Sequence, residues 1–159
     1  MKRSILSLAY KLYSFWLRIR KPLMVGVRIL LIKDNRVLLV YHTYQPYWFF
    51  PGGAVKLGET LVEAAMREAH EEVGAVMDTP PQLLGLYTNF YEGKSDHIAV
   101  FVTEEFTLDE RLDRWEIERM QFFALDALPE SLSPGSYRRV QDYLNAKDTQ
   151  TQHPYVELW

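Results

Sequence analysis

Arg67, Glu68, Glu71 and Glu72 lie close together in the segment GGAVKLGETLVEAAMREAHEEVGA, which runs from Gly52 to Ala75. On a helix, at roughly 100° per residue, Glu68, Glu71 and Glu72 share one sector about 100° wide. Val62, Met66, Ala69 and Val73 recur at helical spacing on another sector, so one helix presents a buried stripe and an acidic face. Neighbouring side chains on a helix start about 5 to 6 Å apart, where two like charges repel by roughly 3 kcal/mol at an effective dielectric near 20. Arg67 offsets part of this, and Glu63 to Arg67 has the favourable order for an i,i+4 pair. The remaining negative charge calls for a counterion, and a hard divalent cation such as Mg²⁺ suits carboxylate oxygens.

The flanks fit that helix. Thr60 followed by Glu63 reads as a capping box at its start, and Gly74 suits the position just past its end. Before it, Pro51-Gly52-Gly53 and Gly58-Glu59 frame a short extended segment whose glycines let backbone groups approach an ion or phosphate closely. An acidic run on an amphipathic helix is ordinarily a solvated face. The full spacing argues against that reading: Gly53, five residues, Glu59, seven residues, Arg67-Glu68-Ala69, one residue, Glu71-Glu72, one residue, Gly74-Ala75.

This arrangement resembles the Nudix box. Every charged and glycine position of the 23-residue pattern is filled, with Ala69 and Ala75 at its two aliphatic positions. The resemblance implies an α/β/α sandwich around a mixed β-sheet. It also implies that Glu68, Glu71, Glu72 and the carbonyl of Gly52 hold Mg²⁺ or Mn²⁺, and that a diphosphate bond is cleaved in a nucleoside diphosphate linked to another group. Arg67 is then expected to hold the glutamates in place, and Glu59 to orient Arg67 or the loop, with Gly53, Glu59 and Gly74 serving structure. One group must take the proton of the attacking water. Glu71 is a candidate for that role or for a pure ligand. Glu116, six residues before Phe122-Phe123, sits where some relatives carry a further glutamate, though a solvent-exposed loop charge is an equally good reading. A nucleotide-binding module without hydrolysis would be expected to lose a box glutamate, and an adaptor recruited through its N-terminus would not need the box intact, so an enzyme is preferred.

Composition agrees. The 159 residues, 48% hydrophobic and 14% aromatic, suffice for one packed domain. A formal charge of −3 gives no global basic field, which argues against a nucleic-acid partner, and the resemblance implies a small nucleoside diphosphate derivative instead. No cysteine is present, which excludes a disulfide framework and fits a reducing cytoplasm. Four histidines without paired spacing argue against a zinc site.

The elements that must position the box are legible in outline. Leu23 to Ile32 and Val37 to Tyr41 are apolar, β-branched-rich runs joined around Lys33-Asp34-Asn35-Arg36, a hairpin pattern. Gln82 to Tyr91 and His97 to Val102 predict a second hairpin, and Met120 to Leu125 a further strand. Ser133-Pro134 with Tyr137, Val140 and Leu144 predicts a C-terminal helix to about Asn145. The order indicates one α+β domain over 22–145, followed by a tail over 146–159.

Residues 1–21 stand apart as an amphipathic basic helix. Ile5, Leu8, Leu12, Trp16 and Ile19 form its stripe, and Lys2, Arg3, Lys11, Arg18, Arg20 and Lys21 supply charge. Lys11 and Arg18 interrupt it too often for a membrane span. Packing on its own domain or in a homodimer is weighted above peripheral contact at an inner membrane surface.

Substrate identity is not legible. Tyr44, Tyr47 and Trp48 precede the glycine loop and could stack on a base, although aromatics entering a strand are more often core. Tyr47, Trp48 and Arg28 stand as substrate-binding candidates. His97 could touch a phosphate, and a lone histidine at a strand start is more often structural.

Overall fold

A computed structural model describes residues 23–90, 95–109, 117–149 and 154–158, together with Leu12 and Phe15. The expected N-terminal helix over 1–21 and Glu116 therefore lie outside the described residues, save Leu12 and Phe15, which are helical and exposed. The described elements are β1 (Leu23–Lys33), β2 (Arg36–His42), β3 (Trp48–Phe49), α1 (Leu61–Val73), β4 (Ala75–Val76), β5 (Gln82–Asn89), β6 (Ser95–Thr103), β7 (Thr107–Leu108), β8 (Ile117–Ala124), α2 (Pro134–Thr149) and β9 (Tyr155–Leu158).

The β1–β2 hairpin turns at Asp34 and Asn35, with φ of 50° and 58°. Both central residues of this tight turn need positive φ, and Asp and Asn tolerate it better than most. β1 then runs parallel to β6 over nine register pairs, from Leu23 with Ser95 to Leu31 with Thr103. The main sheet orders its strands β3-β2-β1-β6-β5-β9, with β8 antiparallel to β2, while β4 and β7 form a separate two-stranded ribbon. Period-two alternation divides the strand side chains between two faces. Val27, Ile29, Leu31, Leu38 and Val40 pack with α1, whereas Leu30, Ile32, Val37 and Leu39 pack with Val140 and Tyr143 of α2. The result is a mixed sheet between two helices, and no helix among the described residues is long and apolar enough to cross a membrane.

Two details depart from the sequence expectations, and a third adds to them. The wholly buried residues of α1 are Ala64, Ala65, Ala69 and Val73, with Val62 and Met66 half-buried at the shoulder of the same core. Small side chains on the facing stripe let a helix lie close to a sheet, and the wider Val62 and Met66 fill the margin. The segment 146–159, set apart as a tail, instead supplies the last turn of α2, which runs to Thr149, and β9, which pairs parallel to β5. Finally, Arg139 in α2 is only 2% exposed. Its guanidinium lies 3.7 Å from the Tyr87 ring centroid and 2.8 Å from Asp142, which also accepts from the Tyr87 hydroxyl at 3.1 Å.

Candidate active site

β1 and β2 share only the two register pairs nearest their turn, so the rest of that β1 edge is open to another segment. The glycine loop takes it. Ile29 N–H donates to the Pro51 carbonyl at 2.9 Å, Val27 N–H to the Gly53 carbonyl at 2.9 Å, and Val55 N–H to the Val25 carbonyl at 3.1 Å. Gly52, between these anchors, has φ of 146°, and a Cβ there would run into the Val27 carbonyl oxygen. A Cβ at Gly53 would meet the Glu68 carboxylate at 2.6 to 2.9 Å. One glycine is thus required by backbone and the other by a carboxylate.

α1 brings its charges to that loop. Its first turn is closed by the capping box, with Glu63 N–H on the Thr60 hydroxyl at 3.2 Å and Thr60 N–H on Glu63 at 2.8 Å. Gly74 ends it in the left-handed region at φ 74°. Arg67 forms the hub. Its Nε and Nη2 donate to the two oxygens of Glu59 at 2.6 and 2.9 Å, and Nη2 also reaches the Ala54 carbonyl at 3.2 Å. Nη1 serves both Glu68 at 2.7 Å and Glu71 at 3.1 Å. A fork pairing of this kind fixes direction as well as charge. The Arg67 hydrogen bonds and the Lys56 N–H hold the Glu59 carboxyl down at about 2, and Glu59 in turn raises the Arg67 pKa further.

The three box glutamates are not equivalent. Glu68 and Glu72 are 14% and 12% exposed and turn toward the loop, with Glu72 accepting the Gly52 N–H at 2.9 Å. Glu71 is 51% exposed, lies on the rim and has Lys56 at 3.5 Å. The Gly52 carbonyl receives Nη1 of Arg28. No three acidic or histidine side chains among the described residues are gathered tightly enough to form a ready ion cage. Carboxylates that repel one another each take a protein donor, as Glu68 does from Arg67 and Glu72 from Gly52. The donor set nevertheless fits a hard cation, being all oxygen: two nearly buried carboxylates, a third on the rim, and a carbonyl that already draws a positive group.

His42, at the end of β2, was not anticipated. It is 5% exposed, between the rings of Tyr44 at 5.1 Å and Phe49 at 5.8 Å, with Nε2 4.0 Å from Glu72 and no hydrogen-bond partner for Nδ1 among the described residues. Burial, reinforced by the nearby Arg28 charge, lowers its pKa to about 4. Its ring neighbours Tyr44 and Phe49 are close in sequence, but the Glu72 and Arg28 charges beside it come from α1 and β1.

The substrate-binding candidates separate. Trp48 is 5% exposed, with its ring edge-on to Phe123 at 4.9 Å and Tyr41 at 5.4 Å and the Arg119 guanidinium 5.3 Å from its centroid, so of the two readings given above its burial fits the core one. Tyr47 is exposed and meets Phe49 edge-on at 6.4 Å. Tyr44 is half-buried against His42. His97 is half-buried, and its Nε2 lies 3.4 Å from the Ser95 hydroxyl. Arg28 lies at the glycine loop.

A mixed sheet between two helices, with an arginine-organised glutamate cluster facing a glycine loop, defines a Nudix-type hydrolase. The NUDIX domain family matches residues 22–143, and the chain belongs to that family. It is 31% identical to the ADP-ribose pyrophosphatase of Methanocaldococcus jannaschii over 78% of this chain and 75% of that protein. It is also 31% identical to the low-salt glycan biosynthesis protein Agl8 of Haloferax volcanii, over 79% and 82% respectively. Among solved structures, the MutT NUDIX hydrolase from Burkholderia pseudomallei superimposes with a TM-score of 0.67 at 27% identity, covering 76% of this chain and 97% of that one.

Proposed function

We propose that this chain hydrolyses a diphosphate bond in a nucleoside diphosphate linked to a further group, using Mg²⁺ or Mn²⁺ held by Glu68, Glu71, Glu72 and the Gly52 carbonyl. The observation that carries the reading is the approach of two nearly buried carboxylates, Glu68 and Glu72, to the Gly52-Gly53 backbone. A bound divalent cation supplies charge neutralisation for phosphate oxygens and a water of lowered pKa. The residues do the rest. Arg67, fixed by Glu59, holds Glu68 and Glu71 in register. Glu71, the most exposed of the three, is the box carboxylate best placed to take a proton from water at the rim. Glu116 remains the further candidate for that step. Tyr47 offers an exposed ring for the base or leaving group.

The ADP-ribose pyrophosphatase among the relatives supports ADP-ribose as the first compound to test, followed by nucleotide sugars and nucleoside triphosphates. Phosphate released after coupling to a phosphatase should appear with Mg²⁺, vanish with a chelator and return on adding Mg²⁺ or Mn²⁺. Glu71→Gln should lower kcat by at least about 10²-fold while the fold persists, as expected when a general base or metal donor is lost. Turnover indifferent to chelation would overturn the proposal.

A further inference from the structure

The backbone of Gly52 is bracketed by opposite charges, one on each of its two peptide units. Its N–H is taken by the Glu72 carboxylate at 2.9 Å and its carbonyl by the Arg28 guanidinium. That carbonyl is also the backbone oxygen assigned to the divalent cation above. A guanidinium and a metal ion on the two lone pairs of one carbonyl oxygen would stand about 4 Å apart, where two unit charges repel by about 4 kcal/mol at an effective dielectric near 20 and a divalent ion repels more strongly. Arg28 also has somewhere to go. It lines a cleft of about 160 Å³ with Gly53, Ala54, Asp96 and Ile98, immediately beside the glycine loop. Its planar fork matches phosphate oxygens, and Gly53 joins this cleft to the glutamate cluster through its close approach to Glu68.

We propose that Arg28 is a built-in counterion that holds the Gly52 carbonyl until a divalent cation takes it, and that the released guanidinium then grips a substrate phosphate from the adjoining cleft. The inference rests on the assignment of Gly52 and the box glutamates to the metal. It gives Arg28 opposite effects on the two ligands. A contact that must be broken before metal binds weakens the apparent metal affinity by the fraction of molecules in which it is intact. The same side chain strengthens binding of the phosphates once it is free.

The test uses the full chain and three titrations: Mn²⁺ alone, α,β-methylene-ADP with saturating Mn²⁺, and ¹⁵N NMR of the arginine guanidinium groups with Mg²⁺. Arg28→Met should bind Mn²⁺ roughly tenfold more tightly, the usual scale for one charge-assisted hydrogen bond. It should bind the methylene analogue at least about tenfold more weakly. In the wild-type chain, the Arg28 resonances should shift on adding Mg²⁺ and shift again on adding the analogue. Unchanged or weaker Mn²⁺ binding by Arg28→Met overturns the exchange. So do Arg28 resonances that ignore Mg²⁺, because a positive field acting from a fixed position would alter both affinities without moving the side chain. The NMR arm needs no variant, so it decides even if Arg28→Met folds poorly. Failure of the metal assignment has a separate signature: Glu72→Gln would then leave Mn²⁺ affinity untouched.

Discussion

Two adjacent glycines should respond to the same methyl group in different ways. In Gly52→Ala the new Cβ would meet backbone only, colliding with the Val27 carbonyl and lying 2.9 Å from the Arg28 Cα, at a φ of 146° that alanine rarely adopts. Neither neighbour can yield without moving the centre of β1. Backbone strain alone costs about 1 to 3 kcal/mol, and displacing a central strand adds to it, so a loss of about 3 kcal/mol or more is expected. For a domain of this length that lowers Tm by roughly 6 to 12 °C. In Gly53→Ala the obstruction is the Glu68 carboxylate at 2.6 to 2.9 Å, the far end of a flexible side chain. The carboxylate can swing aside by under about 1 Å, leaving stability within roughly 1 kcal/mol of wild type. Its new position no longer matches Arg67, and a misplacement of this size costs on the order of 10²-fold in turnover. Thermal denaturation beside active-site-normalised kcat measures both quantities. Equal Tm losses in the two variants, with Gly53→Ala retaining full activity per folded molecule, would refute the claim that Gly53 exists to admit Glu68.

Other outcomes follow from the same geometry. Arg67→Lys cannot reproduce the fork on Glu59 while also serving Glu68 and Glu71, so kcat should fall on the order of 10²-fold with the fold retained; a loss under threefold would count against the hub role. His42 has a folded pKa of about 4 against an ordinary 6.5, so between those values the unfolded chain binds the extra proton. Stability of the metal-free protein should therefore be complete above about pH 6.5 and decline as pH falls toward 4, by roughly 3 kcal/mol at most. Urea titrations at pH 7 and 5 should find that slope reduced in His42→Leu. Glu116→Gln should cost about 10²-fold in kcat if Glu116 serves the water, with Glu118→Gln near wild type; two silent variants would confine the catalytic set to the box and Gly52.

The parts legible in the sequence are those written in local spacing. The capping box at Thr60 and Glu63, the left-handed Gly74 and the Asp34-Asn35 turn each depend on residues a few positions apart, and each forms as read. The charge pattern around Arg67 is similarly local, except that its partner Glu59 sits on the preceding loop. What was not legible is what packing assembles. His42 meets a carboxylate 30 residues away, Arg28 meets a carbonyl 24 residues away, and the charged Arg139 lies under a tyrosine of β5 on the same buried helix face as Ser136, Val140 and Tyr143. β9 had no signal of its own, because four residues become a strand only where a neighbouring edge accepts them.

That last pairing also covers one edge of the main sheet. β9 covers β5 from Gly85 to Thr88, the side of β5 facing away from β6. Stripped of it, the β5 edge would offer a row of free amides and carbonyls, with exposed Leu86 and Phe90 nearby, as a template for any extended chain. Removal of Tyr155–Leu158 would take away that cover while leaving the glutamate cluster intact. Preparations lacking β9 should retain turnover at first and lose it through self-association, so loss of this strand would masquerade as a property of the enzyme.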